Sequence, residues 1–398
     1  MTVGSVTSRV IVQLQVLFAL WFVTAYVYAQ EKAAMYIGPF DVTPSIDVDV
    51  QNDDNLFEAT SGNEVSSTLT LIKPSISAVA DDGVIAYTIE YNGEDGTYSD
   101  TDNNDYTDHE FSADVNWQID IRHLLELSTT IQKAHEGRTQ DSVTDFNATD
   151  LNEFTDKGLA ANYTFGSEGA RGRIQIGLEK SSLRYDTNLL QTAILESDTD
   201  VKTIDFSVGF TPSTRLTFQV SETENTFRNN AVGDRVDLSY LVGAAWEFTG
   251  ITKGDVRFGR TNNDLLNIDG GDTSTSTWNA SIEWLPKEYS TFTLTANKSI
   301  QNTDNGVGDF IDMTDITLGW NYQWNDRMTM VWSLQQQESD FAGTDRNDES
   351  QTFTVEFIYA MRRWLNLSIA LGQQDRSSSL NENNFDKNTA TFSIRASL

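Results

Sequence analysis

"STFTLTANKSI", residues 290 to 300, puts Phe292, Leu294, Ala296 and Ile300 on one side of an extended chain and Thr291, Thr293, Thr295, Asn297 and Ser299 on the other. In a water-soluble sandwich the apolar side would be the core. In a membrane barrel it would touch lipid, and the polar side would line a lumen. The pattern alone does not choose between these, so the decision falls to strand length, connections and targeting.

Eighteen segments of this kind recur down to the last residue, each about ten to thirteen residues long, and helical periodicity is nowhere convincing. Outward-facing sets include Val42, Ile46, Val48 and Val50; Ile85, Tyr87, Ile89 and Tyr91; Ile204, Phe206, Val208 and Phe210; and Ile316, Leu318, Trp320, Tyr322 and Trp324. Globular strands average about five or six residues, whereas a tilted membrane strand needs about nine to eleven. Tight links such as "DDG" (81 to 83), "TPSTR" (211 to 215) and "WNDR" (324 to 327) alternate with long polar excursions such as "NGEDGTYSDTDNND". Short turns on one side and long loops on the other belong to outer-membrane barrels, with the turns periplasmic and the loops extracellular. The expected fold is all-β: a transmembrane, antiparallel, up-and-down barrel of about 18 strands, wide enough for a water-filled channel.

Targeting agrees with this. The first thirty residues carry one charge, Arg9, followed by an apolar run ending "VYA", which reads as a secretory signal over 1–29 cleaved after Ala29. A short periplasmic segment, 30–40, then precedes a barrel over 41–398. It leaves no room for a plug domain. With 59 acidic against 27 basic residues the net charge is -32, which makes nucleic acid an improbable partner. Cysteine is absent, so no disulfide framework exists, and only five prolines and no Pro- or Ser-rich linker divide the chain.

Aromatic residues mark the boundaries. Trp117, Phe165, Phe210, Phe248, Trp284 and Trp324 fall just before predicted periplasmic turns, where amphipathic rings prefer the headgroup level. A second set near the long loops comprises Tyr98, Phe111, Phe154, Tyr185, Phe227 and Phe353. Strand alternation turns Arg171, Arg173, Arg215, Arg257, Arg327 and Arg395 inward near the periplasmic mouth. There they form either a cationic ring that draws in acidic material or partners for inward acids. The same alternation turns Glu126, Glu179, Asp205, Asp237, Glu247, Glu283, Asp315 and Glu356 inward, the signature of a cation-preferring pore.

Catalysis and metal binding find little support. "DTDNNDYTDHEF" starts like a calcium loop at Asp100, Asp102 and Asn104 but has Asp105 where glycine is needed and Phe111 where glutamate is needed. His109, His123 and His135 have no adjacent nucleophile, and no cofactor or metal motif is present. The chain reads as a non-enzyme.

From about Gly38 onward the sequence resembles the beta-barrel porin family encoded beside exopolysaccharide export systems in Gram-negative bacteria. The resemblance is carried by "GPFDVTPSIDVDVQ", by "NDDNLF" (Asp53 to Phe57) and by turn repeats such as "TPSTRLTFQVS". It implies an outer-membrane pore that exports a polysaccharide beside a periplasmic polysaccharide export protein, inserted by the barrel assembly machinery among lipid and lipopolysaccharide. Leu398 stands where such chains usually end on an aromatic residue. Two further readings stay open: a passive cation-preferring diffusion porin, and a non-conducting structural or surface-binding barrel.

Overall fold

The computed structural model describes residues 35–139, 150–248, 250–267, 272–301, 308 and 310–397. The predicted signal segment and Leu398 lie outside the described residues. The strands are β1 (Met35–Ile37), β2 (Phe40–Asp53), β3 (Ser67–Asp81), β4 (Ile85–Tyr98), β5 (Tyr106–Asp120), β6 (His123–Glu136), β7 (Asn152–Phe165), β8 (Gly172–Tyr185), β9 (Ser197–Thr211) and β10 (Thr214–Phe227). They continue with β11 (Arg235–Phe248), β12 (Thr252–Leu265), β13 (Thr273–Lys287), β14 (Ser290–Gln301), β15 (Ile311–Asn325), β16 (Met328–Phe341), β17 (Asn347–Arg362), β18 (Leu365–Ser378) and β19 (Phe385–Ser397).

Each of β2 to β19 pairs antiparallel with its sequence neighbours, and β19 closes on β2 from Thr389↔Asp53 to Ser397↔Ser45. This is a closed 18-stranded barrel. The stretch from 290 to 300 lies in β14, where Phe292, Leu294 and Ala296 stand opposite Trp320, Leu318 and Ile316 of β15. Strand β1, inside the expected 30–40 segment, adds one short pairing, Met35↔Val42 to Ile37↔Phe40, on the edge of β2 that β19 uses higher up.

The barrel strands run from 12 to 16 residues, long enough to cross a tilted hydrocarbon layer. Turns of two or three residues, as at Asp82 to Val84, and one of six between β7 and β8 close one end, while longer connections gather at the other. At the first of these turns, the Asp82 carboxylate accepts the backbone N–H groups of Val84 at 2.9 Å and Ile85 at 2.8 Å, and Gly83 adopts φ +83°. These bonds hold the Asp82 carboxyl below the usual carboxylate range.

Exposure settles which face is outside. Ile204, Phe206, Phe218, Val220, Val242 and Phe258 are all more than two-fifths exposed, and they share one register across β9 to β12. The neighbouring positions Ser207, Thr217, Thr261 and Asn263 are buried on the opposite face. A continuous apolar band on the outside and a polar inside is the inverse of a soluble sandwich, and the apolar band is the surface that lipid covers. Phe218 lies midway along the outward row of β10. Phe218→Arg would set a charge in hydrocarbon and is expected to lower folding stability by about 2–4 kcal/mol, read by urea titration of the barrel refolded into vesicles.

Candidate pore lumen

The interior has two unlike ends. Toward the short turns the inward side chains are polar and range from buried, as at Thr164, Ser207 and Thr217, to part-exposed, as at Arg173 and Arg215. Toward the long loops they are packed. Leu69, Leu71 and Tyr106 form one buried cluster with Leu151 from the β6–β7 connection, and Tyr98 packs against it. Ala134, Phe154, Tyr185 and Leu195 form a second, in which Leu195 comes from the β8–β9 connection. Phe341, Phe385, Ile311 and Leu265 are buried at the same end of other strands. Under the convention that long loops are extracellular, this packing lies at the outer mouth.

Ion pairs reinforce this packing. Arg346 Nη2 lies 2.5 Å from Asp348, with both side chains under one-tenth exposed, and its guanidinium sits 4.2 Å from the Phe341 ring centre. Lys387 reaches Asp53 at 2.9 Å, while Arg376 lies 3.7 Å from Glu58 and 4.8 Å from the Phe385 ring centre. Asn55, wholly buried, donates to Ala59 O at 2.8 Å and to Asp386 O at 2.9 Å, which ties the first long loop to the last strand across the seam. Tyr106 donates to Glu94 at 2.6 Å, and its ring centre stands 3.8 Å from that of His135, whose Nδ1 lies 3.0 Å from Asp108.

This end corrects the sequence reading of the second aromatic set. Phe111 and Phe353 do face outward, at 40% and 37% exposure. Tyr98, Phe154, Tyr185 and Phe227 share the inward register, because above the lipid the apolar surface they need is supplied by the infolded connections. In the periplasmic set, Trp117, Phe165, Phe210, Trp284 and Trp324 are exposed on the lipid face. Phe248 ends β11, and its side chain lies outside the description. On β13 to β17 this belt is continuous: Trp284 stacks on Phe292 at 5.2 Å, Phe292 on Trp320 at 5.5 Å, and Trp324 meets Phe357 edge-on at 6.4 Å.

Of the six arginines, Arg173, Arg215, Arg257 and Arg395 sit on the inward register of β8, β10, β12 and β19. Arg171 and Arg327 lie instead in turns, exposed, where strand alternation no longer sets a side chain's direction. The wall residues therefore make an arc on β8, β10 and β12, with Arg395 apart from it, in place of a complete ring. Arg395 pairs with Asp47 at 2.6 Å. Arg215 donates to Ser207 Oγ at 3.1 Å and to Ala170 O at 2.9 Å, clamping the turn before β8. Arg257 pairs with Asp255 at 2.8 Å and reaches across the wall to Asp205 on β9.

That reach depends on Gly243. A Cβ there would lie 2.1 Å from Val256 O and 2.8 Å from Arg257 Cγ, so glycine is what lets the arginine lie flat against β11. Glu126, Glu179, Asp205, Asp237, Glu247, Glu283, Asp315 and Glu356 all occupy inward positions. Lys253 pairs with Glu283 at 3.0 Å, and Asn263 and Gln335 donate to Asp237 at 2.6 Å and Asp315 at 2.5 Å. Glu126, Glu179 and Glu356 form no ion pair among the described residues.

The remaining candidates are absorbed locally. Asp105 accepts the Tyr98 N–H at 2.8 Å and Asp100 accepts the Ser99 hydroxyl at 2.6 Å, so the would-be calcium loop spends these carboxylates on its own turn. His109 and His123 bond the Tyr91 and Tyr163 hydroxyls at 2.9 Å and 2.5 Å. Among the described residues no group of three His, Asp or Glu side chains is placed to hold a metal ion.

A lipid-facing closed barrel with an ionic interior and alternating turn lengths is an outer-membrane porin-like channel. The chain belongs to the family described as "Putative beta-barrel porin 2", whose model matches residues 29–398. No curated protein matches it. Among solved structures it is similar to OpdK of Pseudomonas aeruginosa, crystallised with vanillate, at 12% identity and TM-score 0.51 over 90% of this chain and 99% of that one. OccK2 (OpdF) of the same organism, in complex with glucuronate, gives 11% identity and TM-score 0.50 over 91% and 99%. Against the FrpB iron transporter from Neisseria meningitidis the identity is 12% and the TM-score 0.46, and the chain spans 63% of that protein's length. At these identities the likeness is one of fold.

Two substitutions probe the lumen wall. Gly243→Ala should cost about 1–3 kcal/mol by overpacking, measured by urea titration, while leaving strand content by circular dichroism unchanged. Asp348→Ala would leave the Arg346 guanidinium buried without its carboxylate, with an expected loss of about 3 kcal/mol on the same titration.

Proposed function

We propose that the barrel is a passive pathway for cations and small hydrophilic solutes across the outer membrane. The observation that carries this reading is the imbalance of charge on the inner wall. Most inward cations are already matched: Lys73 lies 3.1 Å from Asp49 and 3.3 Å from Glu94, and Lys253, Arg257 and Arg395 each hold an acid. Glu126, Glu179 and Glu356 hold no ion pair at contact distance among the described residues, Arg173 and Arg395 acting on Glu126 and Glu356 only at longer range, and on this reading the field in the water-filled section is negative. Cations concentrate there, and selectivity falls as salt screens the wall.

Polymer export, which the sequence resemblance implies, is the second reading. The Arg173, Arg215 and Arg257 arc favours it, because guanidinium groups suit acidic sugars, and OccK2, a barrel of similar shape, was crystallised with glucuronate. Against it stands the packed outer mouth, where a polymer would need an opening along its whole length. A surface-binding barrel without conductance is the third.

A planar bilayer under a salt gradient separates them. The wild-type protein should conduct, with a reversal potential of cation-selective sign. The double variant Glu126→Gln, Glu179→Gln should move that potential toward zero, and Arg173→Ala with Arg215→Ala should move it the other way. Arg327→Ala, in an exposed turn, should leave it unchanged. Absence of conductance would favour the third reading, while block by the organism's own polysaccharide, with an export defect on deletion, would favour the second.

A further inference from the structure

On the lipid face of β6, β7, β8 and β9, the outermost exposed apolar residues of the band are Ile131 (43% exposed), Leu159 (63%), Leu178 (56%) and Ile204 (53%). The next outward residue toward the long loops is a lysine on every one of these four strands: Lys133, Lys157, Lys180 and Lys202. On β10 the same position, beyond Val220, holds Glu222, and on β12, beyond Phe258, it holds Arg260. On β16, β17 and β18 it holds Gln336, Gln351 and Gln373, directly above Leu334, Phe353 and Leu371. Four adjacent strands thus carry an unbroken basic row on a strongly acidic protein, with Arg260 three strands farther on.

Ordinary ion pairing does not account for that placement. Lys133, Lys180 and Lys202 lie 3.2, 2.9 and 2.7 Å from Glu153, Asp200 and Glu222, yet these lysines are 51 to 63% exposed. Such exposed pairs are weak and exchange readily for a stronger anion. Lys157 forms no ion pair among the described residues. Asp200 and Glu222 stand directly across the ladder from Lys180 and Lys202, and Glu153 lies two residues beyond the direct partner of Lys133, so each carboxylate is level with its lysine or farther from the band. A lysine at that depth keeps its stem along apolar surface and lifts its ammonium to headgroup level.

We propose that Lys133, Lys157, Lys180 and Lys202 form a docking row for the phosphate groups of a phosphorylated glycolipid in the outer leaflet. The row sits where such phosphates lie, its charge is complementary to them, and three of the four ammoniums would exchange a weak carboxylate contact for a phosphate one while Lys157 would gain its first. The apolar residues beneath, Leu159, Leu178 and Ile204, would receive the acyl chains of the same molecule.

The test uses the full-length barrel in detergent, mixed with diphosphoryl lipid A and read by native mass spectrometry. The quadruple variant K133Q/K157Q/K180Q/K202Q should lose at least about tenfold in affinity, since each basic residue near a charged surface contributes appreciably. A control on the opposite arc, Q336A/Q351A/Q373A, should bind as wild type does, and dephosphorylated lipid A should not distinguish wild type from the quadruple variant. Heat-modifiable gel mobility checks that each barrel is folded. If the quadruple variant fails that check, K180Q/K202Q is read in the same way, with a severalfold loss expected. Equal binding by a folded lysine variant would overturn the proposal. So would equal binding of wild type to phosphatidylglycerol or inorganic phosphate, which would mark a generic anion surface.

Discussion

A backbone amide in hydrocarbon has no water to turn to, and this constraint shapes the molecule. Each unpaired N–H or C=O there costs several kcal/mol, so a lipid-facing sheet cannot keep a free edge. The pairing of β19 with β2 removes the last edge. The remaining features follow from closure. Strands must be long enough to cross, their outer faces must be apolar, and the polar half of each alternation is left facing an enclosed aqueous space. The short β1 extends the seam below the point where β19 ends, covering backbone of β2 that would otherwise lack a neighbour.

Closure also separates two kinds of packing that a soluble protein combines. Lipid replaces the core over most of the outer surface, so the apolar clusters of the interior serve another purpose. They collect at the long-loop end, where Leu151 and Leu195 bring connecting segments onto inward aromatic residues. Paired charges such as Arg346 with Asp348 lie among them. The outcome is a channel whose apolar packing lies at the long-loop end. Its permeability is therefore set by the loops as much as by the number of strands, and loop segments are where function is most easily varied on a rigid frame.

Charge is distributed on three levels with different consequences. Matched pairs on the inner wall, such as Lys73 with Asp49 and Arg395 with Asp47, brace neighbouring strands and leave little field. Inner glutamates without a contact ion pair among the described residues, Glu126, Glu179 and Glu356, are the groups on which the proposed cation preference rests. On the outer surface the lysines of β6 to β9 meet the headgroup region, where a cation is favourable despite the acidity of the whole chain. Net charge alone describes none of these. The position of each group relative to lipid and lumen decides what it does.

The amino-acid sequence by itself determined the barrel, its eighteen long strands, the lipid side of each and the inward position of the eight acids. Period-two alternation, strand length and turn length are local properties, readable from residues two apart. It did not determine how the ends of the strands are used. Arg171 and Arg327 fall outside the alternation because turns have no faces, and Phe154 and Tyr185, inward by alternation, are buried because Leu195 of the β8–β9 connection folds over them. The span from Arg257 to Asp205, allowed by Gly243, joins residues 52 positions apart on strands that are not neighbours. Only the tertiary structure decided these, since curvature and closure bring non-adjacent strands within reach, and no pattern along a single strand records that distance.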